Sequence, residues 1–147
     1  MKIIFQKEKI LDSKNLEFFS KVNNKSGAII SFIGKVRPTN IKKKIISIDI
    51  ELYEKMAVVQ MKKVLKKLNS QYNIQDYKII HRYGRIYPGE NIVLVLVASK
   101  HRKEGFRFIE DLVDWLKVKI TFWKKENYIK NSEWVEQKEK DRNFIKN

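Results

Sequence analysis

Ile92 to Ala98 is apolar at every position (Ile-Val-Leu-Val-Leu-Val-Ala). A strand with no polar position has no face to offer water, so it belongs at the centre of a sheet covered on both sides. That requirement demands flanking strands and helices packed above and below. Tyr77–Ile86 and Asn91–Ala98 predict a hairpin, because Tyr87-Pro88-Gly89-Glu90 has Pro and Gly where a type II turn needs them. Residues 2–6 predict a first strand. The segment from Gly27 to Arg37 predicts another, stopped by Pro38. Ile46, Ile48, Ile50 and Leu52 alternate with Ser47, Asp49 and Glu51, the mark of a half-buried strand.

Three helices are expected to cover this sheet. Asp12-Ser13 can cap a helix through residue 24 with Leu16, Phe19 and Val22 on one face. From Glu54 to Leu68, apolar residues recur at Ala57, Val58, Met61, Val64, Leu65 and Leu68, a helical spacing. Ser99 can cap a third helix to Ile120 with a stripe of Phe106, Ile109, Leu112, Val113, Leu116 and Ile120. The polar run Thr39–Lys44 reads as a mobile loop. Phe122–Tyr128 and Trp134–Lys138 read as a final hairpin around Asn131-Ser132, with residues 139–147 a frayed tail. The expected fold class is α+β, with residues 1–147 forming one domain. A mostly antiparallel sheet carries two or three packed helices plus a C-terminal hairpin, an α/β hammerhead-like arrangement.

Composition narrows the function. With no cysteine, the chain has no disulfide, no thiolate metal site and no sulfur nucleophile of its own. His81 and His101 are its two histidines, and no carboxylate cluster at ligand spacing accompanies them, so no metal site is expected. No apolar run reaches the length needed to span a bilayer, and the start carries no signal-peptide pattern, so a cytoplasmic protein is expected. The formal net charge of +15 invites a nucleic-acid reading, a basic binding module without catalysis. Lysine supplies most of that charge, and the chain is also rich in Ile and Asn, so the bulk charge by itself names no partner.

Three groups of residues could carry chemistry. In Ser99-Lys100-His101-Arg102, cations crowd a helix start that ordinarily favours negative charge. Free N–H groups, a guanidinium and an imidazole there would suit an external anion, and a solvated basic turn is the alternative. Lys117 lies one turn after Val113 and about 40° from it around the helix, at the edge of the apolar stripe. It is followed by Phe122-Trp123 and Lys124. A lysine held against apolar surface near other cations loses its proton more readily and becomes a usable base or nucleophile, whereas a snorkelling lysine would simply cover core. Gly34-Lys35-Val36-Arg37-Pro38 places two cations at a strand end, where a phosphate or carboxylate could be met. His81 and Arg82, on a strand, can be packing or ion-pair residues.

Taken together and in order, these segments resemble the large, catalytic subunit family of molybdopterin synthase, from about residue 27 to residue 138. The motifs are Phe32-Ile33-Gly34-Lys35-Val36-Arg37, Ile80-His81-Arg82-Tyr83-Gly84 with Tyr87-Pro88-Gly89-Glu90, Ser99-Lys100-His101-Arg102, Leu116-Lys117 with Phe122-Trp123-Lys124-Lys125-Glu126, and Trp134-Val135-Glu136. The resemblance implies a cytosolic sulfurtransferase without a cofactor of its own. Its partner would be a small ubiquitin-like subunit bearing a thiocarboxylate on a C-terminal Gly-Gly, and its substrate cyclic pyranopterin monophosphate. Lys117 and Lys124 would be the catalytic lysines. Arg37, His101 and Arg102 would hold the anionic substrate, and Lys35, Val36, Lys125 and Glu126 would line the same site. Two departures stand out. Leu52-Tyr53-Glu54-Lys55-Met56 replaces the family's His-Tyr-Pro-Gly-Met, and Lys138 stands where the family usually has an arginine, whose bidentate fork lysine cannot reproduce. Arg102 and Lys117 lie about 22 Å apart along one helix. The site is therefore expected to be shared across a homodimer, itself flanked by two small subunits in a heterotetramer.

Overall fold

The apolar strand lies where its composition puts it. In a computed structural model, which describes residues 1–129 and 131–135, every residue from Val93 to Ser99 is buried. The elements are β1 (Lys2–Gln6), α1 (Asp12–Val22), β2 (Ala28–Lys35), β3 (Thr39–Asn40), β4 (Lys43–Lys44), β5 (Ser47–Leu52) and α2 (Glu54–Tyr72). They continue with β6 (Asp76–Arg82), β7 (Gly84–Ile86), β8 (Asn91–Ser99), α3 (Arg102–Val118), β9 (Phe122–Asn127) and β10 (Ser132–Trp134).

The first sheet has the order β1-β6-β8-β2, antiparallel except for the β1–β6 pair. Alternate residues of β8 enter two cores. Val93, Val95 and Val97 meet Met61 and Leu65 of α2 and Phe108 and Leu112 of α3, while Leu94, Leu96 and Ala98 meet Ile10 and Phe19 on the α1 side. The period of two in a strand makes this division automatic.

A second sheet, β10-β9-β5-β7, is joined to the first where β6 runs on into β7. Its own small core is Val36, Ile45, Ile48, Ile50 and Ile86. The expected single strand Tyr77–Ile86 is therefore two strands. β6 pairs with β8 as a hairpin should, but at Gly84, whose φ of 84° suits a residue without Cβ, the chain leaves the first sheet and β7 pairs with β5. The turn after it is the one expected, with the Glu90 N–H donating to the Tyr87 carbonyl at 3.0 Å.

Four other expectations are corrected. Thr39–Lys44 is a two-stranded ribbon, β3 against β4, whose tip residues Ile41 and Lys42 both have positive φ, the geometry of a tight hairpin turn. Helix α1 starts after Leu11 with no side-chain cap and buries Phe19, while Leu16 and Val22 stay exposed, because it meets the sheet through a narrow contact. Ser99 remains in β8 and gives its hydroxyl to the His101 carbonyl at 2.8 Å, so His101 takes the N-cap position. In α3 the buried face is Gly105, Phe108, Ile109, Leu112 and Leu116, and Phe106 is exposed. One residue is about 100° of helix, enough to carry Phe106 out of the stripe once Gly105 faces the sheet. No described helix is long and apolar enough to cross a membrane. The outer part of the final hairpin, Lys138 and the tail lie outside the described residues.

Candidate functional site

Between the two sheets and the C-terminal half of α3 lies a half-open cavity of about 460 Å³, within the size range of small-molecule sites. Each wall is a consequence of local periodicity. From the first sheet come Phe32 and Gly34 of β2, His81 of β6 and Val93 of β8. Helix α3 brings Val113, Leu116 and Lys117 at helical spacing. The second sheet brings Ile50 from β5 with Phe122, Lys124 and Glu126 from β9, the alternate residues of that strand. Lys35, Arg37 and Asn40 close the mouth.

Lys117 and Lys124 thus reach one space from different elements. Lys117 is exposed at the cavity rim rather than sunk in apolar surroundings. Lys124 is half-buried, and its Nζ lies 3.6 Å from Glu126 Oε1. Glu126 is almost fully buried. Its other oxygen accepts the Asn40 amide at 2.7 Å and the Tyr128 hydroxyl. Burial would push this carboxyl up, but the hydrogen bonds from Tyr128 and Asn40 and the Lys124 charge overcome it and hold it below the usual range. The result is an ionised carboxylate that tethers Lys124 and ties the β3–β4 ribbon to β9.

His81 was not expected to face a cavity. It is buried, and its ring stacks on Phe122 at 4.0 Å between centroids and 11° between planes. Burial pushes its pKa down to about 4, so it is neutral at physiological pH. Nδ1 lies 2.8 Å from the Arg82 carbonyl. A carbonyl can only accept, so Nδ1 carries the hydrogen and Nε2 remains an acceptor. A histidine inside a strand whose neighbours Ile79 and Ile80 are buried was the available signal. Arg82 is an ion-pair residue as read, with Nη1 3.3 Å from Glu90 Oε2.

Four predicted site residues lie elsewhere, and one is not described. Val36 packs its side chain into the small core of the second sheet and does not line the cavity. Lys125 falls on the opposite face of β9 from Lys124 and Glu126, with its ammonium 5.6 Å from the Trp134 ring centroid. His101 and Arg102 form a separate basic surface at the start of α3 with Lys103 and Arg107 around the exposed Phe106. That corner is pinned to the sheet. The Gly27 N–H donates to the Ser99 carbonyl at 3.1 Å, and a Cβ on Gly27 would sit 2.0 Å from the Lys100 carbonyl oxygen. Lys138 lies outside the described residues. Among the described residues no His/Cys/Asp/Glu cluster could hold a metal.

A cleft that two lysines enter from separate elements, with further cations in its lining, has the character of an anion-binding site. The family model for the MoaE protein matches residues 6–119. A molybdopterin synthase catalytic subunit of Yersinia pestis is 33% identical over 118 residues, covering 80% of this chain and 78% of the relative. A crystal structure of molybdopterin synthase from Staphylococcus aureus superimposes with a TM-score of 0.82 at 28% identity, covering 90% of this chain and 96% of that one. A complex of subunits 1 and 2 of the molybdopterin-converting factor from Helicobacter pylori shares the fold, with a TM-score of 0.76 at 17% identity, covering 92% and 91% of the two chains. The chain belongs to the MoaE family, whose relatives named here are subunits of molybdopterin synthase.

Proposed function

We propose that this chain directs sulfur from the thiocarboxylated C-terminal Gly-Gly of a small ubiquitin-like carrier subunit into cyclic pyranopterin monophosphate, forming the dithiolene of molybdopterin. The observation that carries the reading is the convergence of Lys117 and Lys124 on one cavity. Substrate phosphate and carrier thiocarboxylate are both anions, and Lys35, Arg37, Lys117 and Lys124 attract both into one space. Lys117, at the open rim, is placed to meet an incoming tail. Covering it with that tail would desolvate the amine and fit it for proton transfer or transient acyl acceptance. Lys124 is held in place by Glu126. Because sulfur arrives on another protein, the chain needs no cysteine. No cofactor is invoked, and the proposed compartment is the cytoplasm, as expected of a biosynthetic enzyme of this family. Purified chain, thiocarboxylated carrier and pterin monophosphate should together yield molybdopterin. Lys117→Ala should fold normally and yield none. A nucleic-acid-binding module would instead show steeply salt-dependent affinity for nucleic acid, unchanged by Lys117→Ala.

The working unit is a homodimer flanked by two carriers. Arg102 and Lys117 are separated by 15 residues of α3, about 22 Å of helix, and open onto two different surfaces. A pterin-sized ligand does not span that length within one subunit. The proposed arrangement brings His101 and Arg102 of one subunit to the Lys117 cavity of its mate, where they hold the substrate's phosphate. Mixing a Lys117→Ala chain with an Arg102→Ala chain should restore activity in mixed dimers. Recovery no better than either single variant excludes a shared site.

A further inference from the structure

The cavity offers cations in abundance, and cations hold an anion without reading what it is attached to. Lys35, Arg37, Lys117 and Lys124 are all hydrogen-bond donors. Among the described residues that line it, the one carboxylate, Glu126, is already engaged by Asn40, Tyr128 and Lys124. A substrate that also carries N–H donors therefore needs an acceptor that the cations cannot supply.

We propose that His81 is a specificity-determining residue of this site, accepting through Nε2 a ring N–H of the heterocyclic substrate. The inference rests on the functional reading above and adds to it the residue that recognises the pterin rather than its phosphate. Three observations carry it. The imidazole is fixed in orientation by its stack on Phe122 and by the Nδ1–H bond to the Arg82 carbonyl. That bond leaves Nε2 as an acceptor, and no described residue hydrogen-bonds it. Among the described residues, the buried side-chain polar atoms lacking partners are Asn69 Oδ1 and Glu104 Oε2, and Nε2 is not among them. A partnerless nitrogen that is not sealed from solvent meets the cavity its own ring lines. The Nε2 lone pair lies in the imidazole plane, so its partner must approach edge-on beside the Phe122 ring. A flat heterocycle donating an N–H from its own edge satisfies that geometry. Because the acceptor is neutral and pre-oriented, it rejects a ligand that lacks the donor at little cost to one that has it.

The test separates the two ligands. His81→Phe keeps the aromatic stack on Phe122 and removes the acceptor. It should bind pterin monophosphate about three- to tenfold more weakly, the worth of one neutral hydrogen bond, while its affinity for the unthiolated carrier stays at the wild-type value. Equal pterin affinity in folded His81→Phe overturns the proposal, as does a loss confined to the carrier. Wild-type chain that binds carrier but no pterin monophosphate sinks the functional reading, and this inference with it. A spectroscopic arm needs no variant: the ¹⁵N resonance of Nε2 in the wild-type chain should move on adding pterin monophosphate and stay put on adding inorganic phosphate. No movement with the pterin, or the same movement with phosphate alone, overturns the assignment.

Discussion

The two four-stranded sheets are built on opposite principles. The first is apolar through its middle, and β8 sends alternate residues into two cores, each roofed by helices. The second has a core of five buried aliphatic side chains and spends its remaining positions on polar pairs. On its outer face Arg85 grips Asp49 through two bonds of 2.9 and 3.1 Å, and Asn127 donates to Ser47 and Asp49 at 3.1 and 2.8 Å. On its inner face Lys124 and Glu126 face the cavity. One sheet supplies rigidity by excluding water. The other tolerates charge where Arg85 pairs with Asp49 and Lys124 with Glu126, and it carries Lys124 of the proposed catalytic pair.

Substitutions on the two sheets should therefore fail differently. Lys124→Ala, on the second sheet, should lower molybdopterin formation by about 10²- to 10⁴-fold, the range for losing a proton-transferring group. Glu126 keeps its Asn40 and Tyr128 partners, so the melting temperature should stay close to wild type. An equal loss of stability and activity would erase the contrast. Leu96→Ala, on the first sheet, should cost about 2–5 kcal/mol in urea denaturation. The activity of the molecules that remain folded should be preserved.

His81 belongs to the first sheet but faces the second, and pH reports on it. The unfolded chain protonates this histidine near 6.5, whereas the folded chain resists until about 4. Stability should then fall by about 2 kcal/mol between pH 7 and pH 5, and His81→Phe should flatten that slope. Asp49, Asp76 and Glu126 are held below their usual ranges, so their contributions are lost at lower pH. The smallest effect is expected for Asn40→Ala, which removes one hydrogen bond to a charged oxygen and should cost about 1.5 kcal/mol. Its activity should fall less than that of Lys124→Ala. A full Lys124-sized loss would show that the ribbon itself meets substrate.

The same contrast decides what could be read from the chain. The burial of β8, the inner face of α2 and the type II turn at Tyr87–Glu90 all follow from local pattern, and each lies where the pattern puts it. Lys117 and Lys124 drew attention from their places beside an apolar stripe and an aromatic pair, and both line the cavity. The break at Gly84 was not legible, since the apolar residues on either side of it continue a strand-like pattern. Lys125 was placed in the site by the family resemblance, whereas alternation along β9 sends it to the face opposite Lys124 and Glu126. Phe106 was assigned to a stripe that its helical phase excludes. The tether from Asn40 to Glu126 joins residues 86 apart in sequence, and nothing local to either residue announces it.

Under the proposed shared site, Gly27 shows how a position outside the Lys117 cavity would govern the assembled pair. Any side chain there would collide with the Lys100 carbonyl and lever the first turn of α3 away from the strand it leans on. Gly27 does not line the Lys117 cavity of that same subunit, while the His101–Arg102 surface, which the proposed arrangement turns toward a neighbouring copy, would be displaced. Such a variant would look sound as an isolated subunit and fail as half of a pair, a defect invisible until two molecules meet.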